Sequence, residues 1–284
     1  MNGFINFYKP SGISSAYAIN RIKKLFKGHK IGHMGTLDPL AEGVLPLAIG
    51  KSTRLFDFLL LKDKVYIAEF TFGYETNTLD RGGEIVKQGG IIPSISDIEK
   101  AVKTQIGTID QIPPSFSAKN VAGQRSYNLA RRGIEVELKP KKVEIKSIEI
   151  LSYKNGVLTC EISCKGGTYI RSICRDIAKY LNTFATMTAL KRTKSGEFTM
   201  ENAVCEEDLY SSVDKSSLLI KPDLILTFEK IYLDKEQSNK LYNGLPFKLE
   251  KPNGTYLVYD VNDDFVGVGL VNENALKIKA YIKD

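Results

Sequence analysis

The sequence predicts an α+β protein, a mixed α/β body followed by a small β-rich C-terminal module. Three observations carry that expectation. Residues 64–73, 142–153 and 157–164 read as strands, the last two separated by the turn Lys154-Asn155-Gly156. Two stretches, one ending near Phe26 and one introduced by Thr168, repeat apolar residues at helical spacing. Beyond Lys221-Pro222, where a linker is expected, short strand-like runs alternate with turn residues.

Taken in order, residues 3–8 read as a first strand, ended by Lys9-Pro10 and Gly12. Ser14 or Ser15 then caps a helix running to about Phe26, with Gly28 closing it. Ile19, Ile22 and Phe26 share one face, while Arg21, Lys23, Lys24 and Lys27 lie elsewhere. That basic cluster suits a solvated helix face and a contact to backbone phosphates equally. In 32–50, GHMGTLDPLAEGVLPLAIG, three glycines crowd around one carboxylate, Asp38, which Pro39 pushes towards an extended conformation. The apolar run 44–49 reads as a buried strand interrupted by Pro46. A carboxylate on a stiff loop feeding the core is how reactive groups are commonly held. Asp-Pro is also an ordinary turn signal, so chemistry alone leaves both roles open. Gly50-Lys51-Ser52-Thr53 resembles the end of a phosphate loop, but Leu45 stands where its first glycine belongs, and that reading fails.

In strand 64–73, Tyr66, Ala68, Phe70 and Phe72 share one face. A helix is expected over 96–107. The following segment is basic and interleaved with Phe116 and Tyr127, which suits an amphipathic surface helix or an RNA-gripping surface. After Gly166-Gly167, Thr168 is the expected cap and Ile170, Ile173, Ile177 and Leu181 the buried stripe. Arg171 falls in the first turn of that helix. The helix dipole disfavours a cation there, so Arg171 needs a specific reason to be present. The tail adds strands over 230–233 and 254–261, a helix over 234–242 and a turn at Asp263-Asp264.

With 43% hydrophobic and 26% charged residues, the chain of 284 residues has the composition of an ordinary soluble globule. No apolar run reaches the roughly 18 residues of a membrane span, and the first ten residues lack a signal-peptide layout. A cytoplasmic protein without membrane contact is expected. Four cysteines without a C-x-x-C pair, and only two histidines, argue against zinc and for reduced, mostly buried thiols. Residues 1–224 hold 32 basic against 24 acidic side chains, and 225–284 hold 8 against 9. The positive charge belongs to the larger part, where a polyanionic partner is a reasonable expectation.

The run 32–55, GHMGTLDPLAEGVLPLAIGKSTRL, resembles the signature motif of the TruB family of tRNA pseudouridine synthases, centred on its catalytic aspartate. The opening GFINFYKPSGISS is similar to the family's KPxGxTS-type motif, with Ser14-Ser15 in place of Thr-Ser. Lys64 and Tyr66 begin a stretch resembling the second motif, whose tyrosine lies against the target base. ETNTLDRGGEIV resembles the T-x-T-x-D-x-x-G stretch, with Asp80 as its aspartate and Gly82 replacing a small residue. Pro113-Pro114, Ser117-Ala118, Gly123, Arg125 and Tyr127 resemble a further block. Asn120 occupies the place of that block's lysine, and Lys119 is the nearest cation. Residues 167–171, GTYIR, imply an arginine paired with the catalytic aspartate and a tyrosine lining the pocket. Leu190 matches an apolar residue of the pocket floor, and His33 a histidine that stacks where the flipped base has left.

The resemblance therefore implies a pseudouridine synthase fold, a central mixed or antiparallel sheet flanked by helices, over 1–222. It implies an RNA-gripping insertion at about 112–141 and a PUA-like domain over 223–284. The implied activity is isomerisation of uridine 55 in the tRNA T-loop, with Asp38, Tyr66 and Arg171 catalytic. His33, Lys64, Asp80, Lys119, Arg125, Tyr169 and Leu190 would contact the RNA. No metal or other cofactor and no obligatory protein partner is implied; the tRNA T stem-loop is the partner of a monomer. The reaction breaks the C1′–N1 bond, rotates the base and rejoins it through C5, with no need of redox chemistry or a phosphate donor. A carboxylate can serve as nucleophile or base, and an arginine at about 3 Å favours its charged form. A related synthase acting on another RNA and an RNA-binding protein are the alternatives, and substitution of Asp38 separates the latter.

Overall fold

The computed structural model describes residues 1–60, 62–117, 120–121, 124–125, 138–245 and 247–283, with the backbone alone for 120–121 and 124–125. β1 (Gly3–Lys9) and β3 (Glu42–Ile49) pair antiparallel along their length, and β2 (Ile31–His33) joins the far edge of β3. Pro46 does not interrupt β3. Its carbonyl accepts from Met34 N at 2.9 Å, so its nitrogen faces the same side, just past the end of β2, where the ladder needs no donor.

β4 (Lys64–Phe72) alternates as its sequence requires, burying Tyr66, Ala68, Phe70 and Phe72. β5 (Tyr74–Thr76) and β6 (Ile85–Gln88) form a hairpin whose loop is the Thr-x-Thr-x-Asp stretch. The helix Ile95–Lys103 starts from Ser94, whose side chain accepts from Asp97 N. It ends before the expected residue 107, because β7 (Gly107–Gln111) begins there and joins the sheet. β8 (Asn120–Val121) and β9 (Gln124–Arg125) pair with one another. Residues 126–137, which fall in the expected RNA-gripping insertion, lie outside the described residues. β10 (Lys141–Lys154) turns into β11 (Val157–Cys164) through Asn155 and Gly156, both at positive φ, as a two-residue hairpin turn requires.

β12 (Ala185–Ser195) is the strand that joins the two halves of the sheet, with β13 (Phe198–Thr199) against its end. Among the described residues nine strands form one mixed sheet, ordered β1-β3-β12-β4-β11-β10-β7, with β2 on β3 and β13 on β12. Its one parallel contact is β3 with β12, at Glu42–Lys191 and Gly43–Arg192. The helices Ser15–Ile22, Ile95–Lys103 and Ile170–Tyr180 bury their apolar stripes in one cluster against Ile5, Phe7, Leu45, Leu47 and Phe70.

The back of β1 and β3 is covered by a second sheet: β14 (Glu229–Tyr232), β15 (Gly254–Tyr259), β16 (Phe265–Asn272) and β17 (Ala275–Tyr281), in that order. Phe4, Val44 and Ala48 share one apolar cluster with Leu257, Val268, Ala280 and Ile282. Hence residues 44–49 of β3 read as a continuous apolar run, and β1 alternates Phe4 on this face with Ile5 and Phe7 on the other: both faces are buried. Polar contacts fix the same junction. Asn2 Nδ2 donates to the Ile282 carbonyl at 2.9 Å, Lys51 Nζ to that of Lys283 at 2.6 Å and Arg54 Nη1 to that of Tyr281 at 2.9 Å.

Because the two sheets share a core, Leu257→Ala should destabilise the whole chain by about 2–5 kcal/mol and leave a single transition in urea unfolding followed by circular dichroism. Two separated transitions would show that the second sheet unfolds on its own.

Candidate active site

The loop that carries Asp38 runs from β2 to β3 and is tied down along its length. Ser15 Oγ accepts from Leu37 N at 2.9 Å and donates to the Leu37 carbonyl at 3.0 Å. Gly12 N donates to the Pro39 carbonyl at 2.8 Å, and Ser11 Oγ to that of Leu40 at 2.6 Å. Lys9 is wholly buried, its Nζ donating to the carbonyls of Pro10 at 2.8 Å and Ile13 at 2.6 Å. Burial lowers this ammonium to about 8, against the pull of Asp38. The ends of the loop are held by Arg192, also wholly buried. Its Nε donates to the Val44 carbonyl at 2.7 Å and its Nη2 to that of Gly35 at 3.1 Å. Gly43, at φ +105°, passes so close that a Cβ would lie 2.3 Å from the Arg192 carbonyl oxygen, so only glycine fits.

Arg171 meets Asp38 in a bidentate fork: Nε lies 2.9 Å from Oδ2, and Nη2 donates to Oδ1 at 3.0 Å. This is the pair that the sequence led us to expect. The same guanidinium donates to the carbonyls of Thr78 and Phe116, each at 3.0 Å, and lies 3.4 Å from Asp80 Oδ2. Asp80 is buried and held in turn by Thr78 Oγ1 at 2.8 Å and Gly82 N at 2.9 Å. Two carboxylates and two carbonyls thus offset the unfavourable placement of a cation at a helix N-terminus. The side chain of Asp38 is 30% exposed and that of Arg171 only 7%, so the carboxylate is the reachable member of the pair. Burial raises the Asp38 pKa above its ordinary value, with Asp80 adding to the rise and Arg171 and Lys9 opposing it.

The expected cap of this helix needs correction. Thr168 Oγ1 donates to the Lys165 carbonyl, and Tyr169 occupies the N-cap position. Gln111, from β7, supplies the capping bond: its Oε1 accepts from Tyr169 N at 2.8 Å while its Nε2 donates to the Tyr169 carbonyl at 3.1 Å. A long-range partner displaces the local one, and Tyr169 is left half-buried beside Arg171.

Tyr66 is buried on β4, its phenol pushed up by burial and opposed by Arg192. Leu190 lies opposite Ala68, one strand away on the same sheet. His33, at the end of β2, is lowered by burial and then by Arg192, which favours the neutral imidazole; its buried Nδ1 has no hydrogen-bond partner among the described residues. Lys64 is buried, and burial together with Arg192 lowers its ammonium to about 8. Lys119 and the side chain of Arg125 lie outside the described residues. The structure therefore joins Asp38, Arg171 and Asp80 by direct contact, and couples Tyr66, His33 and Lys64 through the charge of Arg192. Lys9 and Arg192 were missed as functional candidates. Alternation from the inward-facing Leu190 places residue 192 on the same side, and that was the available signal.

Residues 23–170 match the family model described as TruB family pseudouridylate synthase (N terminal domain), and 171–226 that of the tRNA pseudouridylate synthase B C-terminal domain. The protein named tRNA pseudouridine synthase B in Clostridium tetani is 38% identical over 98% of both chains. The Borreliella burgdorferi protein of the same name is 42% identical over 88% of this chain and 87% of its own. Among solved structures, a chain of a Cbf5-Nop10-Gar1 complex shares the fold with a TM-score of 0.73 at 23% identity, covering 99% of this chain and 84% of that one. A carboxylate forked by a buried arginine on this mixed sheet, together with these matches, defines the chain as an enzyme of the pseudouridylate synthase class. Within that class it belongs to the TruB family.

The opposing influences on Asp38 can be separated by titration. Followed by carboxyl 13C NMR, the Asp38 midpoint should lie above 3.8, rise further in Arg171→Met and fall in Asp80→Asn. A midpoint unmoved by either substitution would remove both groups from its environment.

Proposed function

We propose that this enzyme converts uridine 55 in the T-loop of tRNA to pseudouridine, acting as a monomer in the cytoplasm without a cofactor or an obligatory protein partner. The observation that carries the proposal is the Asp38–Arg171 fork on a loop tied down at every turn. The names of the relatives support tRNA as the substrate, and the positive charge of residues 1–224 suits it.

In this reading the target uridine is flipped out of its loop at a cost of roughly a few kcal/mol. Asp38, ionised at working pH, acts on the nucleotide as nucleophile or base while the C1′–N1 bond breaks, and Arg171 fixes its two oxygens. Tyr66 lies against the flipped base, with Leu190 and Tyr169 completing the pocket. His33, neutral and half-buried, stacks in the place that the base has left. Asp80 serves from behind by holding Arg171, and Lys64, Lys119 and Arg125 take the RNA backbone. Residues 1–222 supply the chemistry, with the insertion at about 112–141 gripping the stem-loop and 223–284 forming a small C-terminal PUA-like domain.

The test is single-turnover conversion of an unmodified tRNA transcript by wild type and Asp38→Asn, with binding measured in parallel. We expect conversion at the T-loop uridine alone, a loss of at least about 10³-fold in D38N, and binding retained. Equal conversion by both proteins would remove Asp38 from the mechanism. Binding without conversion by either would favour a protein that only binds RNA.

In His33→Ala and Tyr66→Ala, turnover on the same transcript should fall by about 10²-fold or more. Wild-type rates and affinities in both variants would rule out their proposed places at the opened RNA.

A further inference from the structure

Arg192 is a fully buried cation whose hydrogen bonds run to the carbonyls of Val44 and Gly35. Lys64, buried beside it, makes no ion pair with a carboxylate among the described residues. The same is true of Arg192. The acidic groups in reach are engaged elsewhere: Asp38 and Asp80 with Arg171, and Glu42 with Lys191. Cys164, the other titratable group that acts on Lys64, is a thiol pushed up to about 11 by burial and therefore neutral. Two buried positive charges without a counter-ion are an expensive arrangement for a folded chain to keep.

The two heads converge at Gly35. A Cβ built there would lie 3.0 Å from Lys64 Nζ and 3.6 Å from Arg192 Nη1. Gly35 is half-exposed and stands at φ +88°, three residues before Asp38. Any other side chain at this position would be strained at this φ and would press on both heads, which glycine leaves uncovered by a side chain of its own. A lysine and an arginine converging on one glycine, with no carboxylate paired to either among the described residues, suit a singly charged tetrahedral oxyanion.

We propose that Lys64 and Arg192 form a subsite over Gly35 that takes one backbone phosphate adjacent to the flipped uridine. This rests on the reading of the substrate as RNA, and goes beyond it by assigning Arg192 and one particular linkage. The bound phosphate supplies the missing counter-charge, with Lys64 in contact and Arg192 acting from beneath. It also makes binding pH-dependent. Lys64 is charged below about 8 in the empty site, and the anion holds the proton on, so affinity is full below that value and falls as pH rises through it.

The test leaves the protein intact and changes the RNA. A T stem-loop carrying a single neutral methylphosphonate, placed in turn at each linkage flanking the target uridine, is titrated with wild type and with Lys64→Gln. For one linkage we expect about a 10-fold or greater loss of affinity in wild type and little further loss in Lys64→Gln. The salt slope of binding to the unmodified RNA should fall by about 0.7–0.9 in that variant. Conversion of the stem-loop by wild type, with every methylphosphonate costing both proteins the same factor, would overturn the subsite alone. Failure of wild type to bind or convert the stem-loop would overturn the functional reading and the subsite with it.

Discussion

The site depends on one guanidinium. Arg171 gathers Asp38, the Thr78 carbonyl, Asp80 and the Phe116 carbonyl, so that three separate stretches of chain meet its own helix at one planar group. A lysine could not do this, because a point charge on a flexible stem does not fix two carboxylate oxygens in a plane. Removing one partner of such a buried pair typically costs about 3–5 kcal/mol, much of it the penalty of the charge left behind. The position of Asp38 is therefore a consequence of the β5–β6 hairpin, the helix Ile170–Tyr180 and the loop after β7 all being in place.

Around that pair the balance of charge is positive. Lys9 and Arg192 are held by carbonyl oxygens, which satisfy their donors without neutralising them. Arg192 makes a further cation nearby harder to keep, adding to the burial that lowers Lys64 and His33. The two serve the backbone at the same time: Lys9 links the first loop to its own turn, and Arg192 closes the Asp38 loop at both ends. Rigidity of the loop and positive potential in the cleft thus come from the same side chains, and a pocket so charged favours an anionic ligand.

What the sequence made legible was local. The glycine-lined Asp38 loop, the alternation of β4, the Asn155-Gly156 turn and the apolar stripe after Ile170 follow from neighbouring residues. The anomalous Arg171 was legible for a related reason: a cation at a helix start breaks a local rule and needs a distant partner. β12 was not legible. Bulges between Met187 and Ala189, and between Arg192 and Lys194, shift its register, so alternation holds only across the short stretch from Leu190 to Arg192 and fails over the strand as a whole. Pro46 and Thr168 misled because their outcomes are set by distant chain, by the end of β2 in one case and by Gln111 in the other.

The second sheet bears on the site without touching it. β1 and β3 flank the Asp38 loop, and their backs would expose Phe4, Val44 and Ala48 were β15, β16 and β17 not laid over them. A strand buried on both faces has little freedom to slide, since a shift of one residue would exchange its two apolar faces and mismatch both cores. The loop between β2 and β3 therefore ends on a strand whose register is fixed from two sides. Residues 225–284, with eight basic against nine acidic side chains, lack the charge excess by which the rest of the chain would attract a polyanion. Their physical contribution visible in the fold is mechanical: they hold the strands that hold the loop that holds Asp38.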